Sequence, residues 1–265
     1  MKKVMMLLLS LGIFSAGYSY SCSGAAFYDI SRDYVTKKDG IYYEYSYKTT
    51  QNNNGKMEFI PNVTESSKVV GADEATFEKI NKFLGKDKKN LYYKNKIIGK
   101  SEGFESIGAY YTYKPCTSPE DNYIIKNADS VFINDKKLNI DPKSVELLYL
   151  NTKQNSDTGF TMLNLYAQDS NGVYYYSEFA GAMQKILDNP LKQNEYKVLE
   201  NTGNSVYFVS PYKVYLNGTE IKGADAKTFQ IVSSSTIPLS RDKDSYYKDH
   251  TMITKAEYDK YRRSR

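Results

Sequence analysis

Four octets constrain the fold more than any other feature: LYYKNKII from Leu91, VFINDKKL from Val131, VYYYSEFA from Val173 and VYLNGTEI from Val214 start 40, 42 and 41 residues apart. A period near 41 residues is the length of one supersecondary unit that buries its apolar face only against its neighbours. Each octet reads as a tight β-hairpin. The clearest turns at Asn217-Gly218, because both central positions of a type I′ turn need positive φ and Asn and Gly tolerate it. Pairing outward sets Leu216 opposite Thr219, Tyr215 opposite Glu220 and Val214 opposite Ile221. Side chains alternate faces along a strand, so Val214, Leu216 and Ile221 share one face and Tyr215 and Glu220 the other. In the second octet, a turn at Asn134-Asp135 puts Val131, Ile133 and Leu138 on the equivalent face and Phe132 beside Lys137. The first octet is apolar on both faces, with Leu91, Tyr93 and Ile98 against Tyr92 and Ile97, and predicts a hairpin buried on both sides.

A second element follows the hairpins. GADEATF (Gly71 to Phe77) and GADAKTF (Gly223 to Phe229) are near copies, and IDPKSV (Ile140 to Val145) fits the same frame. An Asp with Thr or Ser three residues on predicts an Asx or N-capped turn whose carboxylate accepts main-chain N–H groups. Phe104, Val145, Ile186 and Phe229, spaced 41, 41 and 43 apart, are expected to close these turns as pegs into the core. After Phe77 the pattern Ile80, Phe83, Leu84 predicts a short amphipathic helix.

DKKNLYY (Asp87 to Tyr93), DSNGVYY (Asp169 to Tyr175), DKDSYY (Asp242 to Tyr247) and the GAD segments together resemble the DKNYY family of bacterial secreted or lipid-anchored proteins, from about Asp39 almost to the C-terminus. That resemblance implies export and assigns no activity. Departures from the pattern are Ser101 and Met183 at the positions of the Asp that follows the first and third octets, and the lack of a turn Asp before Val131.

The expected fold is therefore all-β with short helical turns, a set of tandem β-hairpin repeats in an open array, the alternative being a small propeller-like ring. The terminal copies are the most degenerate, as capping units are. Residues 1–21 read as a signal peptide and residues 22–265 as one β-repeat domain, with units starting near 33, 84, 121, 165, 205 and 240. Lys2 and Lys3 before the apolar run Val4 to Phe14 give the signal its layout, and 11 residues fall short of the ~20 that span a bilayer. Cys22 in SYSC resembles a lipobox cysteine, which makes it the lipidation candidate and the membrane surface a partner. Removal of Cys22 with the signal, or a disulfide to Cys116, are the competing readings, and either would leave a periplasmic or secreted soluble protein.

Removing the two lysines of the signal from a net charge of +5 leaves +3, too little and too dispersed for nucleic-acid binding. GKSEG (Gly99 to Gly103) matches the form of a nucleophile elbow, which also needs a preceding strand, a following helix and a histidine; His250 is the only one in the chain. Asp169 and Asn171 offer oxygen ligands on a tight loop, but the equivalent loops carry Lys88, Lys89 and Lys243, and no metal or other cofactor is expected. Of the 27 tyrosines, Tyr42, Tyr92, Tyr174 and Tyr215 are candidates for an exposed interaction row facing a protein or glycan ligand, packing between strands being the alternative. The functional expectation is a non-enzymatic interaction or structural module of the cell envelope. The competing class is a hydrolase-like enzyme with a site in the divergent stretch 103–127 around Cys116.

Overall fold

The computed structural model describes residues 28–54, 56–112, 120–154, 161–177, 181–201, 205–232 and 237–263. A three-stranded sheet holds β1 (Tyr28–Lys37), β2 (Gly40–Asn53) and β3 (Lys56–Lys68). The second sheet holds β4 (Glu78–Lys79), β5 (Leu84–Lys86), β6 (Asn90–Tyr93) and β7 (Lys96–Lys100), and the third β8 (Glu105–Thr112), β9 (Glu120–Lys126), β10 (Val131–Ile133) and β11 (Lys136–Leu138). The fourth comprises β12 (Glu146–Gln154), β13 (Thr161–Asp169), β14 (Gly172–Ser177) and β15 (Ala182–Leu187). In the fifth are β16 (Lys197–Glu200), β17 (Val206–Val209), β18 (Val214–Leu216) and β19 (Thr219–Glu220), and in the sixth β20 (Gln230–Ile231), β21 (Leu239–Arg241), β22 (Tyr246–Lys248) and β23 (Thr251–Ile253). Each sheet is an antiparallel meander in chain order, and one helix, α1 (Lys255–Arg263), ends the described chain.

The chain is thus all-β and built from repeated small sheets. The first half of each octet is the third strand of its sheet, and the inferred register holds in the second and fourth octets, while in the first it holds at Tyr92–Ile97 and Tyr93–Lys96 and then shifts, Leu91 pairing with Gly99. Leu216 pairs with Thr219 and Tyr215 with Glu220, while Val131, Phe132 and Ile133 pair with Leu138, Lys137 and Lys136. Asn217 and Gly218 have φ of 47° and 77°, and Lys94, Asn134 and Asp249 take φ of 53° to 55° at the same first turn position.

Alternation then sorts the third strands. Val131 and Ile133 face forward, into a cluster with Tyr174 and Tyr176 of the fourth sheet, while Phe132 faces back toward Tyr92 and Leu91. Val173 and Tyr175 likewise face forward to meet Phe208 and Tyr215, and Val214 and Leu216 face forward to meet Tyr247. The aliphatic starts of the octets therefore occupy equivalent surroundings, each against the next sheet, and the following aromatic ring packs against the sheet before. Among the described residues every hydrophobic cluster joins sheets that are consecutive in the chain, and none unites β1–β3 with β20–β23. That is an open array. A large apolar side chain buried between two sheets contributes about 1.5–3 kcal/mol, so the stacking of sheets rather than any single sheet holds the fold.

Several expectations need correction. Residues 78–79 and 84–86 form β4 and β5, joined by a bend, instead of a helix, because Phe83 and Leu84 are buried between sheets and β5 pairs with both β4 and β6. The third octet is no tight hairpin. Its strand β14 runs on to Ser177 and pairs with β15 from Ala182, past a longer connection. The first hairpin is buried on both sides only along β6, since Ile97 on the edge strand β7 is 51% exposed. Each sheet also begins upstream of its hairpin, at 28, 78, 105, 146, 197 and 230, because it takes in one or two strands that lack the octet signature.

Ile186 does not close a turn. It lies in β15, and the residue immediately before the first strand is Phe77, Phe104, Val145, Tyr196 and Phe229 in sheets two to six. Each packs against a core cluster. Met183 also lies in β15, and Lys192, four residues before Tyr196, occupies the Asp position of that turn. The last helix begins with a reciprocal cap: the Glu257 carboxylate accepts the Thr254 N–H at 2.9 Å, and the Thr254 hydroxyl accepts the Glu257 N–H at 3.3 Å. Tyr258 on its inner face packs on Tyr246, ring centroids 4.8 Å apart.

Candidate functional site

The family-like motif builds a clasp. Asp87 lies in the turn between β5 and β6, where one carboxylate oxygen accepts the N–H groups of Lys89 and Asn90, both at 2.7 Å. Its other oxygen accepts the N–H of Asp73 at 3.0 Å and the hydroxyl of Tyr92 at 2.7 Å. Asp73 in turn accepts the Ala75 N–H at 3.2 Å and the Thr76 hydroxyl at 2.9 Å. The two acidic turns are thereby tied to each other and to the second tyrosine-bearing strand.

The same network recurs in two more sheets. Asp242 accepts N–H groups from Asp244, Ser245 and Asp225 and the hydroxyl of Tyr247, at 2.7 to 2.9 Å. Asp169 accepts N–H groups from Asn171 and Asp141 at 2.7 and 2.9 Å. Ser144 and Thr228 repeat the Thr76 role, hydrogen-bonding Asp141 and Asp225 at 2.8 and 3.0 Å. Both Asp169 oxygens are thus taken up by main-chain donors, which is why an acidic residue stands in a loop that otherwise suits calcium. Burial pushes the Asp87 and Asp242 carboxyls up, but the N–H groups and tyrosine hydroxyls around them outweigh it and hold both below the ordinary range.

The turn Asp is absent before Val131. The structure places Asn127 there, its amide oxygen accepting the Asp129 N–H at 3.0 Å, and Ser210 plays the part in the fifth sheet, accepting the Lys213 N–H at 3.0 Å. Asp87, Asn127, Asp169, Ser210 and Asp242 all lie four residues ahead of Leu91, Val131, Val173, Val214 and Tyr246. That constant offset was the signal available.

The expected tyrosine row is not an exposed face. Tyr92, Tyr174 and Tyr215 are 0%, 7% and 3% exposed, and only Tyr42 is partly open. Stacking covers both faces of β6, β14 and β18, so these three rings fill the space between sheets. Tyr215 donates its hydroxyl to the Ile186 carbonyl at 2.7 Å. Tyr42 donates to Asp39 at 2.9 Å, with the Lys37 ammonium 4.6 Å from its ring centroid.

Ser101 lies in the turn between β7 and β8, where its N–H donates to the Lys89 carbonyl at 3.1 Å, and a strand rather than a helix follows. His250 sits exposed in the β22–β23 turn, 3.1 Å from the Leu216 carbonyl. The two belong to sheets two and six, so they share no site. Cys22 and Cys116 lie outside the described residues. Among the described residues no group of three His, Cys, Asp or Glu side chains is placed to hold a metal, and no helix is long and apolar enough to cross a membrane.

A cleft does occur at the hairpin-turn edge. It has a volume of about 370 Å³ and lies between the β6–β7 turn, β8–β9 and the β10–β11 turn, with Tyr176 of β14 at its far side. Lys94, Lys96 and Lys136 reach it from the turns, against Glu120 and Asp135. Glu120 accepts the Arg32 guanidinium at 2.8 Å and lies 3.6 Å from Lys94, while Lys96 pairs with Asp135 at 3.1 Å. Lys136 makes no ion pair among the described residues. An amide chain lines the floor: Asn134 donates to Asn122 at 2.7 Å, and Asn122 donates to Thr112 at 2.9 Å. A second cavity of about 210 Å³, lined by Arg32, Tyr43, Tyr45, Glu65 and Ser67, meets the first at Lys94 and Asn95. None of this was visible in sequence, since the lining residues come from four sheets.

Neither the comparison with curated proteins nor that with solved structures gives a match. The matched part of the chain in the family comparison runs from just after β15 into β23 and contains the whole Asp225–Asp242 clasp. Residues 189–251 match the DKNYY family, which supports for that segment the resemblance carried by the clasp residues.

Proposed function

We propose that the protein is a non-enzymatic interaction module of the cell envelope, exported by its N-terminal signal and held at a membrane surface by lipid on Cys22. The observation that carries this reading is the use made of the signature residues. Asp87, Tyr92, Asp242 and Tyr247 spend their hydrogen-bonding capacity on one another and on main-chain donors, so the motif stiffens each sheet and supplies no group poised for catalysis. Rigid stacked units present a continuous surface to a partner, which is the general use of such arrays. The polar cleft at Lys94–Lys136 is the concave part of that surface.

Two measurements test it. Intact mass of the mature N-terminus is expected to show an acylated Cys22; an unmodified chain beginning elsewhere removes the anchor. Incubation of the full-length chain with ester and peptide substrates is expected to give no turnover. Turnover abolished by Ser101→Ala or Cys116→Ala would establish an enzyme and overturn the module reading.

A further inference from the structure

We infer that the two cavities on either side of the Lys94–Asn95 turn form one groove for an acidic oligosaccharide, bound through its sugar carboxylates. The inference rests on the interaction-module reading and gives it a ligand class. An extended occupant follows from the layout, because Lys94 and Asn95 line both cavities and the lining passes from Tyr43 and Tyr45 of the first sheet to Tyr176 of the fourth. The sign of charge follows from the pairing. Three lysines face two carboxylates in the larger cavity, Glu120 is divided between Arg32 and Lys94, and the exposed Lys136 makes no ion pair among the described residues.

A carbohydrate suits the lining better than a peptide. Peptides dock through apolar pockets or by adding a strand to a sheet edge, whereas among the described residues Ile133 is the only aliphatic one lining the larger cavity and is itself 4% exposed. What the cavity offers instead is amide, hydroxyl and ammonium groups from Asn95, Asn122, Asn134, Thr112 and the lysines, which match closely spaced hydroxyls and carboxylates. The half-buried Tyr110 adds ring surface of the kind that sugars use.

Titration calorimetry of the full-length chain with hexagalacturonate, maltohexaose and hexaglutamate decides the matter. Hexagalacturonate is expected to bind at least about tenfold more tightly than neutral maltohexaose, the gap shrinking as salt rises. Lys136→Gln and Lys94→Asn are each expected to weaken it about tenfold, the value of one charge-assisted contact; Asn keeps the left-handed turn conformation at position 94, where φ is 55°. Lys136→Arg is expected to keep binding, which separates lost charge from altered folding, and Lys243→Gln in the sixth sheet is expected to change nothing. Equal binding of both sugars, preference for hexaglutamate, or affinity unaffected by Lys136→Gln would each overturn the groove. Failure to bind any of the three overturns this ligand class, while the module reading is judged separately by the turnover and mass measurements.

Discussion

The Asp87 carboxylate accepts the main-chain N–H of Asp73 at 3.0 Å and the hydroxyl of Tyr92 at 2.7 Å, so one side chain that is 3% exposed ties two turns and a buried strand together. Asp242 repeats the arrangement with Asp225 and Tyr247. In both sheets the aspartate of the motif thus accepts the hydroxyl of the tyrosine five residues on.

Removing that carboxylate leaves three main-chain N–H groups without that acceptor and leaves the Tyr92 hydroxyl only the Gly71 carbonyl, 3.0 Å away. Asp87→Ala is expected to lower stability by about 3 kcal/mol, as loss of a charged acceptor serving several donors does. Asp129→Ala, at an exposed side chain, is expected to cost less than about 0.5 kcal/mol. Urea unfolding midpoints compare the two, and equal shifts would contradict the clasp.

Acid should open the clasps. The folded Asp87 and Asp242 carboxyls lie below their ordinary value of 3.8, so the unfolded chain takes up protons first as pH falls. Their contribution is fully present above about pH 4 and is lost as pH drops through the lower folded values. Urea midpoints measured downward from neutral pH are expected to fall steeply below pH 4, and the double variant Asp87→Asn, Asp242→Asn to fall less steeply over the same window. Parallel curves would place the acid sensitivity elsewhere.

At Gly218 the fifth sheet abuts the fourth. A Cβ there would lie 2.2 Å from the Tyr175 ring, φ is 77°, and the Gly218 N–H donates to the Tyr166 hydroxyl at 3.0 Å. Gly218→Ala is expected to cost about 2–4 kcal/mol, combining backbone strain with overpacking. Gly71→Ala, whose Cβ would meet only Ile97 at 3.5 Å, is expected to cost about 1 kcal/mol from its φ of 82° alone. Thermal unfolding ranks them; a larger loss at Gly71 would mean that the sheets do not abut at Gly218.

Burial pushes the Tyr92, Tyr215 and Tyr247 hydroxyls up to about 12, with the Asp87 and Asp242 hydrogen bonds adding to it for Tyr92 and Tyr247 and the Glu220 charge for Tyr215. Their folded values exceed the ordinary 10.0, so the stability they supply is full below pH 10 and is lost as pH rises toward 12. Phenolate absorbance is expected to rise in more than one stage, the buried class ionising only with unfolding. Tyr215→Phe, which removes the hydrogen bond to the Ile186 carbonyl, is expected to cost about 1 kcal/mol and to leave hexagalacturonate affinity unchanged. A single-stage titration would place these rings at the surface.

Local chemistry along the chain determined the hairpins. Asn217-Gly218 favours the turn, alternation then assigns Val214 and Leu216 to one side, and the period of the octets carries that assignment from Val131 to Val173 and Val214. The acidic turns were equally legible, because an Asx turn is closed by residues two and three positions away. Only the tertiary structure decided what lies on the far side of each strand. A strand has two faces, and whether Tyr92 or Tyr215 meets water depends on a neighbouring sheet some 40 residues distant, which no local pattern encodes. Asn127 and Ser210 close turns with residues two and three positions away and were marked in the sequence by their constant offset ahead of the octets, whereas Tyr196 and the groove at Lys94 and Lys136 are defined by partners that the chain brings together only when its sheets stack.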